Sequence, residues 1–265
     1  MDQRLGFVAQ VGLPGYQSYG GGALVSAGGI NGTSVGGSIV RVGIGADPLD
    51  ATKKAWIMRA NYGDPDTAGT GSKRSEFTFG SSTFVMGKRY VIGLKTNFTD
   101  WSASQDQQVA GFQIHNPDTN SLPNPWLALF VTGGSYTLNL QYSPDINPAH
   151  AVNTALLTDP AWTPNAWYKW VIEFAFTDGA NGWINVWRNN IQVANYSGPM
   201  GAVDGLRTSY LKAGVYHWGG QSGGWSGGGP WDMAVQTRQV LLKGPYVFND
   251  DSISAGFVSS LLDTV

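Results

Sequence analysis

Tyr210-Leu211-Lys212-Ala213-Gly214-Val215-Tyr216-His217-Trp218 is the stretch on which the fold turns. Side chains alternate along a strand, so Tyr210, Lys212, Gly214 and Tyr216 are predicted on one face and Leu211, Ala213, Val215 and His217 on the other. The second face is apolar until His217 and suits a core. The first shows two phenols and an ammonium around a glycine gap. A glycine inside a strand marks a close approach by a ligand or another backbone.

Two further stretches follow the same pattern. In Lys73-Arg74-Ser75-Glu76-Phe77-Thr78-Phe79, Arg74 and Glu76 share one face and Ser75, Phe77 and Phe79 the other. In Val109-Ala110-Gly111-Phe112-Gln113-Ile114-His115, Gln113 and His115 lie opposite Phe112 and Ile114. As neighbours in one sheet, the three strands would form a cationic, hydrogen-bonding floor containing a phenol and an imidazole.

Charged residues make up only 13% of the 265, and 37 glycines and 11 tryptophans accompany them. Average chains carry about 25% charge. Short strands rich in aromatics and punctuated by glycine predict an all-β sandwich. The length suits one large domain spanning residues 1–265. The net charge of −2 supplies no global field for a polyanion, so nucleic acid is not an expected partner. An anionic ligand must instead meet a local patch, for which Lys73, Arg74 and Lys212 are candidates. The absence of cysteine excludes disulfides and thiolate metal sites. No apolar run reaches the roughly 20 residues that span a bilayer, so no membrane partner is expected. Met1-Asp2-Gln3-Arg4 is not followed by a signal-peptide core.

Along the chain, Ser38 to Ile44, Ala55 to Ala60 and Arg89 to Thr96 read as strands, the first two in an outer edge or pairing arm. Residues 61–72 form a polar loop in which Asp64 and Asp66 offer oxygens to a structural Ca²⁺ but lack EF-hand spacing; a solvated loop is the expectation. Trp126 to Thr132 and Ser135 to Tyr142 flank Gly133-Gly134, a hairpin signal. Pro144 to Pro164 shows no strong period, and its His150 reads as a solvated loop residue. In Trp167 to Phe176, the face made by Tyr168, Trp170, Ile172, Phe174 and Phe176 is continuously apolar and should meet the core. Gly182-Trp183-Ile184-Asn185-Val186-Trp187-Arg188 and Ile191 to Ala194 flank Asn189-Asn190, whose side chains tolerate the positive φ of a tight turn. Gly219 to Gly229 reads as a loop that could cover a cleft, with Trp225 available to stack on a sugar. Ala234 to Leu242 is expected to close the sheet, and Ser252 to Leu262 is the one candidate helix.

Several chemistries fit poorly. Only Glu76 and Glu173 are glutamates, and no E-x-D-x-x-E pattern sets a carboxylate pair for glycoside hydrolysis. No G-x-S-x-G elbow or H-E-x-x-H occurs. The residues present fit β-elimination on an acidic sugar. The C5 proton of a uronate becomes acidic once its carboxylate is neutralised, which arginine does bidentately and an amide donor assists. A base then removes the C5 proton and an acid protonates the leaving O4. Histidine can act as base or as a carboxylate donor. Tyrosine serves if neighbouring cations lower its pKa.

Arg74-Ser75-Glu76, Gln113-Ile114-His115 and Tyr210-Leu211-Lys212-Ala213-Gly214-Val215-Tyr216 resemble, in this order, the three signature strands of the jelly-roll polysaccharide lyases. The alginate lyases of that group carry R-S-E-L, Q-[IV]-H and Y-F-K-A-G-x-Y. The segment Trp167 to Gly198 is similar to the glucuronan-lyase and heparin-lyase-like branch. The resemblance runs from about Lys73 to Trp218. It implies a concanavalin-like jelly roll with a concave substrate groove.

It also implies roles. Arg74 and Gln113 would neutralise the uronate carboxylate. His115 would neutralise it too or act as base, depending on the epimer. Tyr216 would be the catalytic phenol, protonating the leaving oxygen and, in some cases, also taking the proton. Lys212 would support the subsite and depress the Tyr216 pKa, with Tyr210 and Glu76 shaping and orienting, Glu76 by pairing with Arg74. The departures are Phe77-Thr78 in place of the continuation L-R, and His217-Trp218 after the phenol. Both favour the glucuronan-like branch. The expectation is a monomeric polysaccharide lyase, secreted or carried on a phage particle, acting on an anionic polysaccharide without a cofactor. The alternative is a non-catalytic carbohydrate-binding module or lectin on the same fold.

Overall fold

The structure, a computed structural model, describes residues 8–9, 17–18, 31–35, 38–64, 73–99, 101, 109–116, 125–132, 135–145, 150–159, 162–177, 181–202, 208–217, 237–249 and 251–265. Among these residues two sheets form. The first runs β14 (Ile191–Gly198), β13 (Gly182–Arg188), β12 (Tyr168–Ala175), β7 (Tyr90–Thr99), β17 (Thr237–Phe248), β5 (Asp50–Asn61), β4 (Ser38–Asp47), β3 (Asn31–Val35), with β1 (Val8–Ala9) pairing to β17. The second runs β11 (Val152–Asp159), β10 (Ser135–Ser143), β9 (Leu127–Thr132), β8 (Val109–His115), β16 (Thr208–His217), β6 (Lys73–Val85), β2 (Gln17–Ser18), with β15 (Gly201–Ala202) pairing to β10.

The core lies between the sheets and takes alternate residues from each: Trp170, Ile172 and Phe174 of β12 meet Phe112, Leu129 and Leu211 of the second sheet. This two-layer burial, with strands alternating inward and outward, is the sandwich that alternation predicts, and its architecture is the jelly roll that the resemblance implies. Aromatic rings knit the layers edge to face; Tyr136 of β10 lies 5.9 Å from Trp170 of β12. The β13–β14 turn forms at Asn189 and Asn190, with φ of 50° and 69°.

Three expectations need correction. The stretch from Pro144 to Pro164 contains a strand, β11, at a sheet edge where both faces are largely open, so no apolar alternation marks it. Ala234 to Leu242 does not close a sheet. β17 lies in the middle of the first, between β7 and β5, and continues to Phe248 through a register shift between Lys243 and Tyr246 that accommodates Gly244-Pro245. β7 likewise continues through Asn97 to Thr99.

The tail does form a helix, α1 (Ala255–Asp263), capped by Ser254, whose hydroxyl accepts from Phe257 N. It packs on the outer face of the first sheet, where Val258 and Leu262 join Val91, Val171 and Tyr246. A side chain at Gly93 would overlap Val258, so the glycine sets how closely the helix sits. No helix among the described residues is long and apolar enough to cross a membrane.

On the same side of that sheet, Lys243 Nζ meets Asp47 Oδ2 at 2.5 Å with both side chains almost fully buried. Burial pushes the Asp47 carboxyl up, but hydrogen bonds from Lys243, from Trp167 Nε1 and from Leu49 N outweigh it and hold it below the usual range. Removing one partner leaves the other buried and uncompensated. Asp47→Ala should therefore cost about 3–5 kcal/mol in urea unfolding, and adding Lys243→Met should recover much of the loss.

Candidate active site

β16 lies between β6 and β8, so the three motif strands are neighbours. Their register sets the face. Tyr216 pairs with Arg74 on one side and Ala110 on the other, Gly214 with Glu76, Lys212 with Gln113, and Tyr210 with His115. Leu211, Ala213 and Val215 point into the core. The predicted parity is therefore realised on all three strands, and the Arg/Glu, Gln/His and Tyr/Lys/Tyr sets share the outer face of the second sheet.

Two irregularities in this sheet matter. In β8 an extra residue, Gly111, is inserted between Ala110 and Phe112 opposite β9, which keeps both Ala110 and Gln113 on the outer face. In β16, Gly214 has φ +150°, and a Cβ there would collide with the Ser75 carbonyl oxygen and lie 2.6 Å from Glu76 Cα. The partner that the glycine gap admits is thus the backbone of β6.

Gly214 puts no side chain between Glu76 and Gln113, and the two meet. Gln113 Nε2 donates to Glu76 Oε1 at 2.6 Å, both residues being buried. The other end of the Gln113 amide, Oε1, lies 3.0 Å from His115 Nε2. A carboxylate oxygen only accepts, so the amide must present nitrogen to Glu76 and oxygen to the imidazole. His115 therefore carries its proton on Nε2, and the lone pair of the neutral ring is on Nδ1. No sequence pattern announces this Glu76–Gln113–His115 chain.

Around the chain, the Arg74 guanidinium carbon sits 4.8 Å from the centroid of the Tyr216 ring. Tyr216 packs on Ala110, Ala128 and Phe130. Tyr210 stacks obliquely beside His115, with centroids 5.7 Å apart, and its ring is 5.7 Å from Lys212 Nζ. Gln113, Lys212, Glu76, Tyr210 and His115 are buried, whereas Arg74 and Tyr216 are half-exposed. A guanidinium and a phenol thus stand at the accessible surface over a buried polar floor. Burial pushes the Lys212 ammonium down to about 8; the Glu76 carboxylate opposes the shift and the Arg74 guanidinium adds to it.

Lys73, expected in the cationic patch, is on the other parity of β6. It is buried and its ammonium donates to the Asp64 carbonyl oxygen. Asp64 is buried too, its carboxylate accepting from Asn61 N at 2.8 Å, so this residue is not the solvated loop side chain expected. Among the described residues no group of three or more His, Asp or Glu side chains converges on a metal position. Asp66 and Trp225 lie outside the described residues. His150 is exposed and 2.7 Å from Asp145 Oδ2. Glu173 is on the first sheet, bound by Arg89 at 2.6 Å, so the two glutamates occupy different sheets.

A jelly roll with a guanidinium, an amide, an imidazole and a phenol on one face belongs with carbohydrate-active proteins, and the comparisons agree. Residues 46–230 match the family model described as polysaccharide lyase. The chain belongs to the polysaccharide lyase family and is a lyase. The matched span includes β6, β8 and β16. Among solved structures, the endo-β-1,4-glucuronan lyase of the fungus Trichoderma reesei aligns with a TM-score of 0.60 at 15% identity, over 92% of this chain and 93% of that one. The alginate lyase of Klebsiella pneumoniae aligns with a TM-score of 0.54 at 11% identity, over 77% and 84%. A family 7 alginate lyase in complex with product aligns with a TM-score of 0.51 at 15% identity, over 74% and 80%. No match is found among curated protein sequences.

Two outcomes follow from this geometry. Gly214→Ala must force β6 and β16 apart at the Glu76–Gly214 rung, two residues from Arg74 and Tyr216, and should cost about 1–3 kcal/mol in denaturant unfolding. Lys212 binds fewer protons in the folded than in the unfolded chain between pH of about 8 and its ordinary ~10.4, so its contribution to stability rises with pH across that window. Its charge at the site runs the opposite way, present below pH 8 and lost above. On an anionic polymer, kcat/KM should fall above about pH 8, and Lys212→Arg should move that fall well above pH 10.

Proposed function

We propose that the chain cleaves a uronate-containing polysaccharide, of glucuronan or alginate type, by β-elimination within one jelly-roll domain spanning residues 1–265. The observation that carries this reading is the placement of Arg74 beside Tyr216 on the same face as the Glu76–Gln113–His115 chain. The sugar ring would lie over the Glu76–Gln113 pair, between Arg74 and His115. Arg74 takes the C5 carboxylate bidentately, and the Gln113 amide adds a donor, which makes the C5 proton acidic. His115, oriented by Gln113, serves as the base that removes that proton. Orientation of a base by a third group in this way is a recurring device in proton-transfer sites. The electron pair forms the C4=C5 double bond as the C4–O4 bond breaks, and the Tyr216 hydroxyl protonates the departing O4. Lys212 and Tyr210 serve the neighbouring sugar, the first by charge and the second by its ring.

Hydrolysis by paired glutamates is disfavoured because Glu76 and Glu173 are in different sheets. A non-catalytic lectin would have no use for a buried carboxylate that orients an imidazole through an amide. Between substrates, the fold alignment with the glucuronan lyase extends over more of both chains than those with the alginate lyases, in line with Phe77-Thr78 and His217. The substrate is an acidic polymer, and release outside the cell fits a polymer of that size.

Polyglucuronate, polymannuronate and polyguluronate should be compared by the absorbance of the unsaturated product. Polyglucuronate is expected to be cleaved fastest. On the best substrate, Tyr216→Phe and His115→Asn should each lower kcat by at least about 10²-fold while the polymer still binds. Retained turnover in Tyr216→Phe would remove the phenol from the mechanism. Arg74→Lys keeps the charge and loses the fork, so it too should fall by more than about tenfold.

A further inference from the structure

Trp183-Ile184-Asn185-Val186-Trp187 is a sequence feature that the lyase site leaves unused. Ile184 and Val186 enter the core, so Trp183, Asn185 and Trp187 share the outer face of the first sheet, on the far side of the sandwich from Arg74 and Tyr216. Beside Trp187, between β13 and α1, the surface opens into a cavity of about 350 Å³, within the range of small-ligand sites. Its wall is the half-buried Trp187 ring, and its polar rim is Asn190, Ser259, Ser260 and Asp263. Ala255 and Gly256, with little or no side chain, leave the entrance wide.

The rim is arranged by contacts that leave hydrogen-bonding capacity over. Asn190 Oδ1 accepts from Ser259 Oγ at 2.5 Å, which turns the two Nδ2 donors of the amide outward. Both Asp263 oxygens accept from Lys169 Nζ, at 2.8 and 2.9 Å, yet the carboxylate is 61% exposed and keeps lone pairs for a ligand. An aromatic plane flanked by an amide and a carboxylate is the chemistry that binds a pyranose. The apolar C–H face rests on the ring, and adjacent hydroxyls each give or take a hydrogen bond at a planar polar group.

None of the lining residues is cationic, and one is a carboxylate. This is the reverse of the Arg74–Lys212 face. Asp263 is already paired with Lys169, so the rim holds no uncommitted cation for a uronate carboxylate, whereas a hydroxyl donor finds the remaining carboxylate lone pairs. We infer that this cavity is a second, non-catalytic saccharide site that takes a neutral hexopyranose residue. Trp183 continues the track along β13, four residues or about 13 Å from Trp187. Asn185 lies between them, its Oδ1 accepting from Asn195 Nδ2 at 2.9 Å. Such a track would let the lyase rest on a neutral polysaccharide while its opposite face works on an acidic one.

Electrophoresis through gels containing a soluble neutral glucan, mannan or xylan tests this. At least one polymer should retard the intact protein, and Arg74→Ala should be retarded equally. Trp187→Ala should weaken the interaction about tenfold. Because Trp187 also packs beneath α1, two milder variants support the assignment. Asn190→Gly suits the φ of 69° and removes the amide with its one exposed contact to Ser259, and Ser260→Tyr fills the cavity. Both should weaken retardation with unfolding midpoints unchanged. Absence of retardation by all three polymers, its loss in Arg74→Ala, or full retention in Asn190→Gly and Ser260→Tyr would each overturn the proposal. None of these results depends on which uronate is cleaved.

Discussion

A single hydrogen bond, from the Gln113 amide to the buried Glu76 carboxylate, organises the working face of this molecule. It connects two strands that are not neighbours, reaching across β16 at the one position where β16 has no side chain. Its length of 2.6 Å is that of a charge-assisted contact, which is stronger than a neutral one and more directional in effect. A carboxylate offers no donor, so the amide has one allowed orientation, and so has the imidazole beyond it. The chemistry of His115 is thereby decided by an amide two residues away and a carboxylate two strands away, which meet across a glycine.

The sandwich makes this arrangement rigid. The three site strands are backed by the aromatic core, in which Trp170, Phe174 and Tyr136 fix the second sheet against the first. The first sheet is stiffened from outside by α1 and by the Asp47–Lys243 pair. The two outer faces of the sandwich differ in chemistry. One carries Arg74 and Lys212 around a phenol; the other carries lysines already paired with Asp47 and Asp263, beside tryptophans and amides. A polymer-degrading enzyme gains from such a division, because the group that cuts and the surface that anchors need not compete for the same sugar.

Much of this was legible in the sequence because strand parity is a strict period of two. Once Tyr210-Leu211-Lys212-Ala213-Gly214-Val215-Tyr216 was taken as a strand, the faces of Arg74, Gln113, His115 and Tyr216 followed. Parity also shows why Lys73 could not join the patch, being one residue from Arg74, yet its partner, the Asp64 carbonyl, came from a loop that no pattern announces. Register was not legible. That Gly214 faces Glu76, and Lys212 faces Gln113, depends on bulges such as that at Gly111, which are set by packing. β11 escaped notice because an edge strand open on both faces need not alternate. That β17 lies between β7 and β5 and runs past Gly244-Pro245 is set by long-range pairing, which no local pattern reports.

The tautomer of His115 tests the account most directly. With histidine labelled in its ring nitrogens, and His115→Asn used to assign its signals among the three histidines, the nitrogen shifts of the neutral ring report which atom carries the proton. A proton on Nε2, lost as the dominant form in Glu76→Leu, is the predicted result. A neutral His115 protonated on Nδ1 in the unmodified protein would contradict it.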